Sequence, residues 1–240
     1  MGLVLYHAWK SSASRRVRLF LEEKGLQYES RVIDLAQQQQ HSPEYLKINP
    51  NGVVPALLHD GKSLYESATI CEYLDDVFPD PPLRPSDPYD LALMRNWVRH
   101  VDNQIGHLIR FNWRYRIQKR AQNMSDEELQ RVIAKIPSKE RQQAWLRVAR
   151  NPYTEEELAE SRSSLVALID AMENMMTKGW LIGGQYSLAD IAVVPFVKRI
   201  SEEIAPEALN PTVHPRVALW WEAVQQRPAY EAARIESFAD

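Results

Sequence analysis

The chain has 240 residues, room for one large domain or two small ones at roughly 100–200 residues each, and 29 Lys and Arg against 32 Asp and Glu leave a formal net charge of -3. So even a balance disfavours a nucleic-acid partner, which calls for a basic surface. The single cysteine, Cys71, excludes an internal disulfide, a Cys-x-x-Cys redox pair and a cysteine-rich zinc site.

The six histidines show no His-x-x-x-His spacing, so no metal is expected. No apolar run approaches the ~18–20 residues of a membrane span. The opening Met1–Tyr6 is too short for a signal peptide, and Tyr6 stands where a myristoylation motif wants Ser or Thr. Eight glycines, with one doublet at Gly183-Gly184, make no phosphate-binding loop. The expectation is a cytoplasmic globular protein without a membrane partner.

Leu3–Tyr6 reads as a strand, followed by the polar stretch Lys10–Ser14 and a helix from about Ser14 to Lys24 that stops at Gly25. Arg31–Asp34 and Pro55–Leu58 read as strands. Asp60-Gly61 signals a hairpin into a fourth strand at Ser63–Tyr65. A helix over Ser67–Val77 closes a β-α-β, β-β-α unit, an α/β layer fold. Five prolines between Pro79 and Pro88 then forbid helix and predict a stiff, extended connector.

Beyond it the pattern is helical only. Asp87-Pro88 opens a long helix with Leu91, Met94, Trp97, Val98, Val101 and Ile105 on one stripe. Ser125-x-x-Glu128, Thr154-x-x-Glu157 and Ser187-x-x-Asp190, each flanked by apolar residues, predict three capping boxes with hydrophobic staples. A last helix covers Arg216–Gln226. The expected domains are 1–78 (α/β), a linker at 79–88, and 89–240 (all-α).

Three motifs occur in order: Asn49-Pro50-Asn-Gly-Val-Val54-Pro55-Ala-Leu, Glu66-Ser67-x-x-Ile70-x-x-Tyr73-Leu74 and Ser187-Leu-Ala-Asp190. In this the chain resembles the cytosolic glutathione transferases, with a thioredoxin-like N-terminal domain and a helical-bundle C-terminal domain. Ser11-Ser12-Ala13-Ser14-Arg15-Arg16-Val17-Arg18 is similar to the zeta-class maleylacetoacetate isomerase signature, with Ala13 in place of its cysteine and Arg15 in place of its usual Trp. Ile70-Cys-Glu-Tyr-Leu74, Asp76-Val-Phe-Pro79, the insertion Gln122–Glu128 and Gln142-Gln143-x-Trp145-x-Arg147 are more similar to bacterial β-aryl-ether-cleaving glutathione transferases.

The resemblance implies glutathione as co-substrate, and the reaction needs its thiolate. A free thiol near pKa ~8.5 is largely protonated at pH 7, and lowering it by about two units takes roughly 2.7 kcal/mol. Ser11 matches the catalytic serine of the zeta and theta classes and is the first choice as hydrogen-bond donor to sulfur. Ser14 matches a first-helix serine of the etherase-like group and is the second, Ser12 the third. Ser14 as a plain helix cap is the competing reading. Arg15, Arg16 and Arg18 add positive potential if they face the site.

Glu66 and Ser67 match the residues that hold the γ-glutamyl end. Val54, before an expected cis-Pro55, matches the backbone partner of the cysteinyl unit. Gln40 and His41 either reach the glycyl carboxylate or form a solvated loop. Asp102 is either a partner-subunit contact or a surface charge, in a family expected to form homodimers. The basic, aromatic stretch His107–Arg116 either lines the acceptor pocket or splits into core and solvated faces, and Cys71 is expected to be an inert core thiol. The expected activity is thiolate attack on an electrophile with an aromatic acceptor, in its narrower form β-aryl ether cleavage. The alternatives are a zeta-like isomerase and a non-catalytic binding protein of this fold.

Overall fold

The computed structural model describes residues 2–235. Met1 of the opening segment and residues 236–240 of the expected helical domain lie outside the described residues. Four strands, β1 (Leu3–His7), β2 (Glu29–Val32), β3 (Ala56–His59) and β4 (Lys62–Tyr65), form one sheet in the order β2-β1-β3-β4. β1 runs parallel to β2 and antiparallel to β3, which pairs antiparallel with β4. A parallel pair needs a crossover, and α1 (Ser12–Glu23) supplies it. The expected hairpin turn has positive φ at both Asp60 (48°) and Gly61 (79°), as a two-residue hairpin of this hand requires.

α1 begins two residues before the expected Ser14. Ser11 is extended (φ −77°, ψ 121°) and its Oγ accepts from the Ser14 N–H, so Ser11 and not Ser14 is the cap. The helix ends at Gly25, whose φ of 63° lets Leu26 N–H reach back to the Leu21 carbonyl. Between β2 and β3 lie a 3₁₀ turn (Gln39–His41) and α2 (Pro43–Leu46), which are not among the expected elements. The signal was present: Ser42 caps α2 and Pro43 takes its first position. α3 spans Ser67–Val77 as expected.

Asp87 caps α4 (Pro88–Asn103), accepting from the Tyr89 and Asp90 N–H groups. The helix stops short of Ile105, because Gln104 N–H turns to the Val101 carbonyl in a tighter i→i−3 bond and Gly106, a poor helix former, follows. Ile105 therefore opens a separate α5 (Ile105–Asn112) and is partly exposed. A π-helical turn at Trp113–Ile117 leads into α6 (Gln118–Gln122), α7 (Asp126–Ile133), α8 (Lys139–Arg150) and α9 (Glu155–Met175). α10 (Leu188–Arg199), α11 (Pro215–Gln225) and α12 (Pro228–Ala232) follow. All three capping boxes form, with both reciprocal bonds made. Beyond the last helix expected from the sequence, Pro228 opens α12, since a missing N–H costs nothing at a first helical position.

One apolar core joins the two halves: Leu5, Phe20, Leu57 and Ile70 on the sheet side meet Met94, Trp97, Val193 and Val197 of α4 and α10. Each such side chain contributes about 1.5–3 kcal/mol on burial. The proline connector is anchored rather than freestanding. Lys24 Nζ donates to the Phe78 (2.7 Å) and Pro81 (2.6 Å) carbonyls and pairs with Asp75, while Arg84 pairs with Asp75 and Asp76. A smaller cluster of Trp113, Ala121, Leu129, Ile133, Val148 and Ala149 holds α6, α7 and α8 together.

Candidate functional site

The strand registers decide which loops meet. Tyr6 faces Ala56, Ala56 faces Tyr65, and His7 faces Val32. The connections to Ser11, from Val54–Pro55, to Glu66–Ser67 and to Gln40–His41 therefore all leave the same end of the sheet. The Val54–Pro55 peptide is cis, as expected.

The β1–α1 loop is stapled from inside. Ser14 is fully buried, and its Oγ accepts from the Ala8 N–H (3.3 Å). The Ala8 carbonyl accepts from Ser11 N–H (3.1 Å) and Arg18 Nη1 (3.3 Å), and the Trp9 carbonyl accepts from Arg18 Nη2 (3.3 Å). Ser11 is half-buried at the mouth of α1. Its oxygen caps the helix, which leaves its O–H proton available at a partial positive charge. Ser12 occupies the first helical position and is largely buried.

Arg18 also donates to His7 Nδ1 (3.2 Å). That places the His7 proton on Nε2, facing Ser30 Oγ at 2.7 Å. Burial and the neighbouring Arg18 charge push the His7 pKa down to about 4, so it stays neutral. Trp9, missed by sequence reasoning, has guanidinium groups of Arg18 (4.8 Å) and Arg234 (5.2 Å) against its ring. Tyr6 accepts from Arg31 Nη1 (3.1 Å) through its hydroxyl and packs edge-on against Tyr45.

Glu66 is exposed and has φ 68°, ψ 112°, a conformation costly for a residue with a Cβ. The chain turns there from β4 directly into α3, placing the Glu66 carboxylate beside a helix N-terminus. Ser67, the first residue of α3, accepts from Arg16 Nη1 (3.1 Å), which leaves its own O–H to donate. The same Nη1 meets the Asp102 carboxylate (2.7 Å), and Arg16 Nη2 donates to the Ala192 carbonyl (3.2 Å). Asp102 is thus paired within its own chain.

The condition under which Arg15, Arg16 and Arg18 would add positive potential at the thiol, that they face it, is not met. All three are buried between the halves: Arg16 is held as above, and Arg18 Nε donates to the Ala233 carbonyl (2.9 Å). Arg15 lies in the field of Arg116, Arg199 and Glu203, with burial as the main cause of a pKa lowered to about 10. The α1 face that carries them points at the helical half, and long guanidinium stems bury well where carbonyls and carboxylates receive their heads.

The stretch His107–Arg116 divides. Leu108, Phe111 and Trp113 are buried, whereas Arg110 pairs with Glu160, Arg114 with Glu155 and Arg116 with Glu203. Tyr115 is exposed. Cys71 is fully buried in α3, and burial pushes its thiol well above the usual range. A thiol reagent is expected to leave the native protein unlabelled and to label one site per chain in denaturant; rapid native labelling would contradict this burial. Among the described residues no group of three His, Cys, Asp or Glu side chains is placed to hold a metal, and no helix is long and apolar enough to cross a membrane.

Residues 5–82 match the family model "Glutathione S-transferase, N-terminal domain" and residues 129–228 the model "Glutathione S-transferase, C-terminal domain". Protein LigF of Sphingobium sp. strain SYK-6 is 37% identical over 236 residues, covering 95% of this chain and 91% of that protein. The chain belongs to the glutathione S-transferase family. Its co-substrate is glutathione. The crystal structure of beta-etherase LigF from the same strain superposes on this transferase with a TM-score of 0.90 at 35% identity, covering 99% of this chain and 100% of that one. Glutathione S-transferase Z2 of Arabidopsis thaliana is 44% identical over only 91 residues, 38% of this chain and 41% of that one. The thioredoxin-like and helical halves of the transferase are those expected of the family.

Proposed function

We propose that this transferase cleaves β-aryl ethers: glutathione thiolate displaces an aryloxide from carbon and leaves a glutathione thioether. The observation that carries this reading is the match to the beta-etherase over 95% of the chain in sequence and 99% in structure. The isomerase-like reading draws on a similarity confined to less than half of the chain. In the reaction the thiol loses its proton to solvent, a C–S bond forms as the C–O bond breaks, and water protonates the aryloxide.

In this proposal Ser11 donates its O–H to the sulfur anion, and Ser14 and Ser12 shape the loop that presents it. Ser67 donates to the γ-glutamyl carboxylate at the N-terminus of α3, and Glu66 receives the ammonium. The Val54 backbone beside Pro55 pairs with the cysteinyl unit, as an added strand would. Gln40 and His41 face the glycyl end. The division into 1–78, 79–88 and 89–240, a homodimeric assembly and a cytoplasmic location complete the proposal, in keeping with family membership.

The test is incubation with glutathione and a β-aryl ether carrying a chromogenic phenol. One phenol and one thioether should appear per glutathione consumed. Turnover of a maleyl acid alone would replace the etherase reading with isomerisation. Failure to bind glutathione by calorimetry would leave a non-catalytic binding protein.

A further inference from the structure

Three polar groups gather where α8 meets the sheet-end loops. The Gln40 side-chain oxygen and His41 Nδ1 are buried and make no hydrogen bond among the described residues. The third is Arg141. Its backbone N–H donates to Ser138 Oγ, the cap of α8, which fixes it in the first turn. Its guanidinium has no hydrogen bond or ion pair among the described residues. The other arginines of α8 are engaged: Arg147 pairs with Glu157, and Arg150 pairs with Asp126.

The packing brings that turn of α8 to the glutathione end of the sheet. Gly52 has φ 61°, and a Cβ there would lie 2.9 Å from His41 Cδ2, 3.2 Å from Pro137 Cδ and 3.3 Å from the Gln40 carbonyl oxygen. Only glycine allows this approach, which clamps the α7–α8 junction onto the loops before Val54 and around His41. Arg141 is exposed to solvent, and the protein beside it lowers its pKa through desolvation, against the opposing pull of Glu140 and Glu66. Its charge in turn adds to burial in lowering the pKa of His41. The guanidinium thus lies within electrostatic reach of both the His41 loop and the start of α3.

A solvent-accessible cation with no hydrogen-bonded carboxylate, beside polar atoms without partners, can receive a ligand anion. We infer that Arg141, from the helical half of the chain, pairs with the glycyl carboxylate of bound glutathione, alongside Gln40 and His41. The inference rests on the reading of glutathione as co-substrate with its glycyl end at Gln40–His41. The tripeptide is then gripped by both halves of one chain, and the helical insertion sets co-substrate affinity as well as acceptor choice.

Calorimetry on wild type, Arg141→Gln and Arg141→Lys, with glutathione and with its glycyl ethyl ester, tests this. The ester keeps the carbonyl and removes the charge. Arg141→Gln should weaken glutathione about 10- to 100-fold, leave ester affinity within about twofold, and be partly rescued in Arg141→Lys. The guanidinium makes no hydrogen bond or ion pair among the described residues, so melting temperatures should match the wild type. Equal affinity of wild type and Arg141→Gln for glutathione would overturn the inference. So would equal losses for glutathione and ester, because the effect would then not pass through the carboxylate. A wild type that binds no glutathione would instead remove the reading beneath it.

Discussion

Ser11→Ala is expected to raise the pKa of protein-bound glutathione by about one to two units and to lower kcat/KM near neutral pH by about tenfold or more. A hydrogen bond to a charged acceptor is worth about 1.5–3 kcal/mol, and one pKa unit corresponds to about 1.36 kcal/mol. The proposed donor differs from its neighbours by position. Ser11 sits half-buried at the cap of α1, whereas Ser14 is fully buried with its oxygen holding the Ala8 N–H. Losing the cap also costs about 1 kcal/mol of stability, so Ser11→Thr, which keeps the hydroxyl, separates the two effects. Thiolate absorbance against pH is the readout. A titration that does not move in Ser11→Ala would pass the role to Ser14, Ser12 or the backbone N–H groups.

The second large effect concerns the fold. Asp190 is fully buried and accepts from Ser187 N–H (3.0 Å), Leu181 N–H (3.2 Å) and Trp220 Nε1 (2.9 Å). Asp190→Ala leaves three buried donors without an acceptor, and about 3 kcal/mol or more of stability should be lost. Burial outweighs those hydrogen bonds in setting the carboxyl pKa, which rises from 3.8 to about 6. A pKa raised on folding means that the native state holds the proton more tightly than the unfolded chain. The stabilisation linked to that proton is therefore complete below about pH 4 and is lost as the pH climbs through 6, about two units or 2–3 kcal/mol. The cost of Asp190→Ala, measured by denaturant unfolding, should accordingly be larger at pH 4 than at pH 7 by about that amount. The same cost at both values would show that Asp190 stays ionised throughout.

What could be read from the sequence was chemistry of short range. A hydroxyl with a carboxylate three residues on marks Ser125, Thr154 and Ser187, and Asp60-Gly61 marks a hairpin, because both partners lie within one turn of chain. The family motifs place Val54–Pro55 and Glu66–Ser67, and the registers explain why those segments meet. The arginines of α1 were misread because their partners are remote: Ser67 lies 51 residues from Arg16, and Ala192 lies 176. No local pattern tells a buried guanidinium from one that faces a ligand. Trp9 and Arg141 were missed for the same reason, since each acquires meaning only from groups brought by a different part of the chain.

The bond from Arg18 to the Ala233 carbonyl spans 215 residues. Arg18 also grips both carbonyls of the loop that leads to Ser11. The hold on that loop is therefore complete only once a segment 215 residues downstream has packed against α1. A nascent chain carrying only the thioredoxin-like half holds every serine of the Ser11–Ser14 segment, yet lacks the Asp102, Ala192 and Ala233 acceptors that fix its guanidinium groups. The buried guanidinium groups of α1 thus couple the Ser11–Ser14 segment to residues of the helical half.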